Sequence, residues 1–148
     1  MQTHKRRTAA TLCAAAALAA VVPASASAGA SSPPPEPDPV LVDCFFDPQV
    51  RPEDFILACG DGNNRLVDLR WSAWGPAFAE ARGVDLVNDC QPYCAAGKFH
   101  AYPVTVRLDR PQPWERDPQQ DRYTRMRLVY TDDRPAQAQK EETFKLWD

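Results

Sequence analysis

The stretch from Phe55 to Trp74, FILACGDGNNRLVDLRWSAW, constrains the fold more than any other part of the chain. Apolar and polar residues alternate through its second half, and the apolar set is Val67, Leu69, Trp71 and Ala73. Since successive side chains of a strand point to opposite faces, this alternation indicates a half-buried strand. An apolar run, Phe55 to Ala58, precedes it, and residues 60–64 between them, Gly-Asp-Gly-Asn-Asn, are typical of a turn. The stretch predicts a β-hairpin, which we place near the centre of a sheet.

Further strand-like segments follow along the chain. Residues 77–82 could form a short helix that begins at Pro76 and ends at Gly83, but we prefer a strand from Ala77 through Val87, with Ala79 and Ala81 on one side. The inward residues expected on the later strands are Tyr102, Val104, Val106 and Leu108, then Met126, Leu128 and Tyr130, then Phe144 and Leu146. Val40 to Val42, together with Phe45 and Phe46, predicts an edge strand or an ordered arm. Short strands with little helical periodicity between them predict an all-β fold, a small antiparallel sandwich or barrel stapled by two disulfides.

Proline marks two places where this pattern is interrupted. Pro103 lacks a backbone donor, so its strand is expected at a sheet edge or at a bulge. Residues 110–120 are polar and contain several prolines, and they predict a long loop that carries Trp114.

The N-terminal residues have the organisation of an export signal. Lys5, Arg6 and Arg7 form a basic region, an Ala-rich apolar region runs from Leu12 to Val22, and Ala26-Ser27-Ala28 is a small-residue cleavage site. The apolar region is shorter than the roughly 20 residues of a membrane helix. We therefore expect a signal peptide at 1–28, a Pro-rich spacer at 29–39 and one β domain at 40–148. The expected location is extracellular, with no integral membrane segment after cleavage.

Charge and cysteine count narrow the function classes. The formal net charge is −3, and removing residues 1–28 removes three positive charges, so the mature chain is more acidic still. An acidic chain is a poor nucleic-acid or anionic-membrane binder, and no nucleic-acid partner is expected. Cys44, Cys59, Cys90 and Cys94 remain after cleavage.

Four cysteines in a short exported chain predict two disulfides. Three pairings are open, and we prefer the longer closures, Cys59–Cys90 with Cys44–Cys94, each expected to stabilise by about 3–4 kcal/mol. A zinc site is the alternative, but it needs close CxxC-type pairs, and only Cys90 and Cys94 are close.

Several motifs in the same region resemble a known group of proteins. LACGDGN, the L-x-W-x-x-W-G strand end and NDCQPYCAAGKFHAYPV, spanning about Cys44 to Leu108, resemble a family of small four-cysteine secreted proteins of high-GC Gram-positive bacteria. The resemblance implies export and two disulfides, and it implies no catalytic activity. The chain is also similar in size and cysteine number to subtilisin-inhibitor-like secreted proteins, but its cysteine spacing departs from their pattern.

Evidence for catalysis or metal binding is sparse. His100 is the one histidine left after cleavage, and we expect it at the rim of the core, because no Gly-x-Ser-x-Gly motif accompanies it. A hydrolase would need a carboxylate pair, for which the candidates are Asp61, Glu80, Asp85 and Asp89. Residues 61–64 are rich in side-chain oxygens but lack the distal ligands of a calcium loop. No cofactor and no metal are expected.

Aromatic residues outside the predicted core are the leading candidates for ligand contact. Trp74 has the opposite parity to Trp71, Tyr93 lies in the cysteine loop and Trp114 in the proline-rich segment. Exposed tryptophan and tyrosine offer flat, amphipathic contact area to proteins and sugar rings. Outward arginines at 70, 107, 125 and 127 would form a basic stripe on adjacent strands, although pairing with neighbouring acids is preferred.

The sequence thus favours a secreted, non-enzymatic binding module for cell-wall or extracellular polysaccharide or for a protein partner, with contacts from Trp74, Tyr93 and Trp114. The alternatives are a small secreted hydrolase that uses an Asp/Glu pair and a secreted protease inhibitor.

Overall fold

A curved, six-stranded antiparallel sheet forms the body of the molecule. The computed structural model describes residues 37–147, so the predicted signal peptide and most of the predicted spacer lie outside the described residues. The strands are β1 (Leu41–Val42), β2 (Pro48–Gln49), β3 (Phe55–Ile56), β4 (Asn64–Trp74), β5 (Phe78–Asn88), β6 (Phe99–Trp114), β7 (Asp117–Tyr130) and β8 (Glu141–Lys145). Strands β3 to β8 pair in chain order, and β1 pairs with β2. The all-β prediction is confirmed, and the sheet curves to form a half-barrel.

The hairpin predicted from Phe55 to Trp74 is present, but its place in the sheet was wrongly predicted. β3 pairs antiparallel with β4 through Phe55–Leu66 and Ile56–Arg65. These strands form one edge of the sheet, whereas β5, β6 and β7 occupy its interior. The alternation of apolar and polar residues in β4 shows that one face of the strand is solvated. It does not show whether the strand lies at the edge or at the centre of the sheet, because both positions can have one solvated face.

The face assignment within β4 was only partly right, because the strand is bulged. Leu66, Leu69 and Trp74 are its buried residues, and their spacing is not a multiple of two. The register with β5 shifts between Val67 and Arg70 and again between Trp71 and Ala73. Asp68 has a φ of 54°. An inserted residue makes the side chains that follow it point to the opposite faces of the sheet. The shift between Trp71 and Ala73 therefore brings Trp74 onto the core side.

The inward faces predicted for the later strands are confirmed. The buried residues are Ala79 and Ala81 on β5, Val104, Val106 and Leu108 on β6, and Met126, Leu128 and Tyr130 on β7. Leu146, just beyond β8, is also buried, and Phe144 packs against the same core. Strictly alternating apolar residues therefore located this part of the core correctly.

Residues 39–42 form the ordered arm that the sequence allowed. The Val40 amide donates to the Asp121 carbonyl (2.9 Å), and the Tyr123 amide donates to the Val40 carbonyl (2.9 Å). Leu41 is completely buried in the main core cluster with Leu66 and Tyr123. The arm therefore covers the core beside β7.

Both proline-based predictions were wrong. Residues 110–114 and 117–120 belong to β6 and β7, joined by a tight turn, and they are not a loop. Pro111 lies opposite Tyr123, whose amide donates to Val40 of the arm, so the pair does not require a donor from Pro111. Pro103 sits in an interior strand, but its carbonyl accepts the Thr131 amide (3.0 Å) just where β7 ends. Its nitrogen faces the same side, at the end of that ladder.

The two predicted disulfides are present, but the preferred pairing was wrong. Cys44 bonds to Cys59, and Cys90 bonds to Cys94. The Asn88 side chain accepts the Cys90 amide (3.0 Å) and donates to the Cys94 carbonyl (2.9 Å), which holds these cysteines side by side. Their Cα atoms are 3.7 Å apart. The distance between cysteines in the folded protein determines which of them can form a disulfide. The preference for pairings that close long loops considered only the entropy of the unfolded chain.

The two disulfides should contribute unequally to stability. They span 15 and 4 residues, so the entropy model assigns about 3 kcal/mol to Cys44–Cys59 and about 2 kcal/mol to Cys90–Cys94. We expect Cys44→Ser/Cys59→Ser to lose more free energy of unfolding in urea than Cys90→Ser/Cys94→Ser. A larger loss in the Cys90/Cys94 variant would contradict this order.

Candidate functional site

The three aromatic residues predicted to contact a ligand are not brought together. Trp74 is 8% exposed and Trp114 is 7% exposed, so the prediction that both lie on an open surface was wrong. The Trp74 indole donates to the Pro39 carbonyl (3.0 Å) and packs edge-on against Tyr123. Trp114 packs in a second cluster with Val40 of the arm. Tyr93 alone, 64% exposed in the cysteine loop, lies where the sequence placed it.

The candidate carboxylates are engaged separately. Asp61 accepts the backbone amide and side-chain amide of Asn63, and these bonds lower its pKa. Glu80 pairs with Arg107 across the sheet. Asp89 accepts from His100 (2.8 Å) and from the backbone amides of Gln91 and Lys98. These bonds, that of His100 foremost, lower the pKa of Asp89 to about 2.

His100 lies outside the core, in a shallow cleft. Its ring and the Asp89 carboxylate line a hollow of 250 Å³ together with Tyr102 and a polar loop. A histidine–carboxylate pair orients an imidazole, but covalent catalysis also requires a nucleophile. The described residues that line this hollow include no serine, threonine or free cysteine. Across residues 37–147 no group of three histidine, cysteine or carboxylate side chains is placed to hold a metal ion.

Asp85 is the one candidate carboxylate that is completely buried. Its Oδ2 accepts the Tyr130 hydroxyl (2.7 Å), and its Oδ1 has no hydrogen-bond partner within the described chain. Burial raises the pKa of Asp85, and the bond from Tyr130 opposes this only in part. A carboxyl enclosed in this way favours its neutral form.

Arginines and acids alternate across the outer face of β5 to β8. Asp109 accepts from Arg125 through Nε (2.6 Å) and Nη2 (2.7 Å), and Arg127 and Arg107 lie 3.4 and 3.7 Å from its carboxylate. Arg107 also pairs with Glu80. The preference for cross-strand pairing over an open stripe is confirmed for these three arginines. The Arg125 bond, first among these contacts, lowers the pKa of Asp109.

Next to this cluster the outer face opens into a groove of 550 Å³, which we call the basic groove. It is lined by Arg110, Gln112, Pro113, Glu115, Arg122, Thr124, Arg125, Thr143 and Lys145. Four of these side chains are cationic and one is acidic. In residues 37–147 no ion pair engages the side chain of Arg110 or Lys145.

A kink in the β6–β7 hairpin shapes the groove. Arg110 has a φ of 55°, and the Thr124 hydroxyl donates to its carbonyl (2.7 Å). On β7 the buried residues Tyr123 and Met126 are three apart at this level, so the alternation of faces is broken here. Arg125 is fixed by Asp109 through Nε and Nη2, and these two bonds do not use the Nη1 group of its guanidinium.

The basic groove was missed because residues 110–120 were interpreted as a loop. The prolines at 111 and 113 carry a usable signal, since their spacing of two places Arg110 and Gln112 on the opposite side of an extended chain. The approach of Thr143 and Lys145 depends on the pairing of β8 with β7, which no local pattern encodes.

Two further findings bear on function. Among residues 37–147 there is no helix of the length and apolar character needed to cross a membrane. In comparisons with known proteins, no family model matches the chain, and no curated protein or solved structure matches it.

The buried Asp85 should make stability depend on pH. Because its pKa is raised in the folded state above the unfolded value of about 3.9, the folded protein retains a proton that the unfolded chain loses. The contribution of Asp85 to the free energy of unfolding should therefore fall as pH rises from about 4, and level off above the folded-state pKa of this carboxyl. Asp85→Asn cannot titrate, so its stability relative to wild type should increase with pH, by about 1.4 kcal/mol for each unit of pKa shift.

Urea denaturation between pH 4.5 and pH 8 measures this difference. Asp61→Asn serves as the control, because the pKa of Asp61 is lowered and its titration falls below this range. A pH-independent difference between Asp85→Asn and wild type would contradict the prediction.

Proposed function

We propose that this protein is a secreted, non-enzymatic binding module that holds an acidic extracellular polysaccharide in the basic groove. The observation that carries the proposal is the local charge: the exposed Arg110 and Lys145 line one groove beside Arg125, with a single carboxylate, on a chain whose formal net charge is −3. Clustered cations that oppose the overall charge create a local positive potential, which attracts polyanions.

The chemistry of the groove supports a polysaccharide. Arg110 and Lys145 supply charge for carboxylate, sulfate or phosphate groups, while Gln112, Thr124 and Thr143 supply amide and hydroxyl groups for sugar hydroxyls. Its 550 Å³ is within the range of about 300–1,000 Å³ common for ligand sites.

A single-stranded nucleic acid is a weaker fit to the same groove. Proteins that bind single strands stack bases on aromatic side chains, and none of the described residues that line the groove is aromatic. The absence of a nucleic-acid partner therefore remains part of the proposal.

Location and family belong to the same proposal. Two disulfides suit an oxidising compartment, and the N-terminal residues have the pattern of an export signal. Membership of the family of small four-cysteine secreted proteins, which the Cys44–Leu108 motifs resemble, would agree with a binding role outside the cell.

Dextran sulfate and uncharged dextran, each labelled with fluorescein, provide a matched pair of probes for fluorescence anisotropy. We expect saturable binding of dextran sulfate that weakens with added NaCl, and no binding of dextran. Arg110→Glu/Lys145→Glu should raise the Kd for dextran sulfate by about tenfold or more, because two attractive contacts become repulsive.

The control variant is Arg70→Glu/Arg82→Glu, which makes the same change in net charge at two exposed, cross-strand arginines outside the groove. Its Kd should change by less than about threefold, since neither residue lines the groove and salt screens exposed charges that make no direct contact with the ligand. An equal loss of affinity for dextran sulfate in the two variants would refute a groove site and indicate that binding depends on the total charge of the protein. Tighter binding of single-stranded DNA than of dextran sulfate would overturn the assignment to polysaccharide.

A further inference from the structure

A second surface lies in the segment that links the arm to the sheet, residues 43–50, which we call the knuckle. The Asp43 carboxylate accepts the Phe45 amide (2.8 Å), the Asp47 amide (2.9 Å) and the Gln49 side-chain amide (3.0 Å). The Cys44–Cys59 disulfide ties the same segment to the turn before β4. The knuckle is therefore held in one conformation by several independent constraints.

This rigid segment exposes large apolar side chains. Phe45 is 75% exposed and Val50 is 56% exposed. Phe46 and Arg51 have φ values of 65° and 50°, a region that costs roughly 1–3 kcal/mol for such residues and persists only where the surroundings impose it. An aromatic residue fixed in an exposed position has already lost the conformational freedom that binding would otherwise remove.

Beside the knuckle is a hollow of 250 Å³ with apolar walls and acidic groups. Its walls are formed by Cys44, Phe45, Phe55 and Ile56, and Asp43, Gln49 and Asp54 complete the lining. Asp43 is engaged by its hydrogen bonds within the knuckle. Within residues 37–147 the Asp54 carboxylate has neither a hydrogen bond nor an ion pair.

We propose that this hollow binds an arginine or lysine side chain presented by a partner protein. Such a side chain combines an apolar stem with a terminal cation, which matches apolar walls that end at an unpaired carboxylate. The guanidinium or ammonium group would pair with Asp54, and its stem would pack on Phe45 and Ile56. The knuckle already accommodates one guanidinium, since Arg116 lies 3.9 Å from the centroid of the Phe46 ring.

The surroundings of the hollow favour a protein partner. Phe46 and Val50 add exposed apolar surface outside the hollow, where a single free cation would make no contact. Asp47, Glu53 and Asp54 are exposed nearby, so a partner surface with a basic anchor and a basic rim is complementary in charge. The basic groove has the opposite polarity and is lined by different residues.

A pair of peptides that differ in one charge tests the proposal. The probes are acetyl-Gly-Leu-Arg-Leu-Gly-amide and the same peptide with citrulline, the neutral isostere of arginine. Added to the oxidised, ¹⁵N-labelled protein, the arginine peptide should produce saturable shifts of the Phe45 and Ile56 amide resonances. The citrulline peptide should bind about threefold or more weakly, in keeping with the loss of one partly exposed ion pair.

Variants of the protein complete the test. Asp54→Asn should lower the affinity for the arginine peptide to that for the citrulline peptide. Asp132→Asn, at an exposed turn, should leave the affinity for the arginine peptide unchanged. Arg110→Glu/Lys145→Glu should also retain the response at Phe45 and Ile56, so a failure of the polysaccharide proposal is separable from a failure of this one. Absence of saturable shifts at Phe45 and Ile56, equal binding of both peptides, or unchanged binding in Asp54→Asn would each overturn the proposal.

Discussion

A half-barrel leaves one face of its sheet to be covered, and the rest of this structure depends on how the N-terminal arm covers it. The arm bonds to β7 through Val40, inserts Leu41 into the core and accepts the Trp74 indole at Pro39. Leu41 and Trp74 are large apolar groups, and the burial of each is worth about 1.5–3 kcal/mol or more. This requirement explains why Trp74 and Trp114 are structural, and it leaves the outer face and the knuckle as the surfaces available for partners.

The electrostatics of the outer face follow from its strand order. Pairing of β5 to β8 places Arg107, Arg125 and Arg127 around Asp109, which reduces their mutual repulsion and fixes Arg125 in position. The change of faces near Arg110 then exposes further cations beside a charge pair that is already neutral. A groove that is positive can therefore exist on a protein that is negative overall.

The sequence was informative where a single physical rule operates. Val104 to Leu108 and Met126 to Tyr130 alternate strictly, so their inward faces could be predicted from the period of an extended chain. Trp74 could not, because the register of β4 with β5 shifts between Val67 and Arg70 and again between Trp71 and Ala73, and the local sequence does not mark these shifts. The disulfide pairing, the basic groove and the hollow depend on segments that meet only in the folded chain. Local composition does not predict such contacts between segments that are distant in sequence.

The prolines of β6 have a consequence for strand registration. In the native register Pro111 lies opposite Tyr123, and Pro113 lies opposite Asp121. The Tyr123 amide and the Asp121 carbonyl form hydrogen bonds with Val40 of the arm, so neither residue needs a hydrogen bond from the proline that faces it. Sliding β7 by one residue would turn its inward side chains outward and place acceptors opposite both prolines. Each missing bond would cost on the order of 1 kcal/mol, more where the acceptor is buried. Residues that look like strand breakers thus penalise an incorrect register during assembly of the longest hairpin.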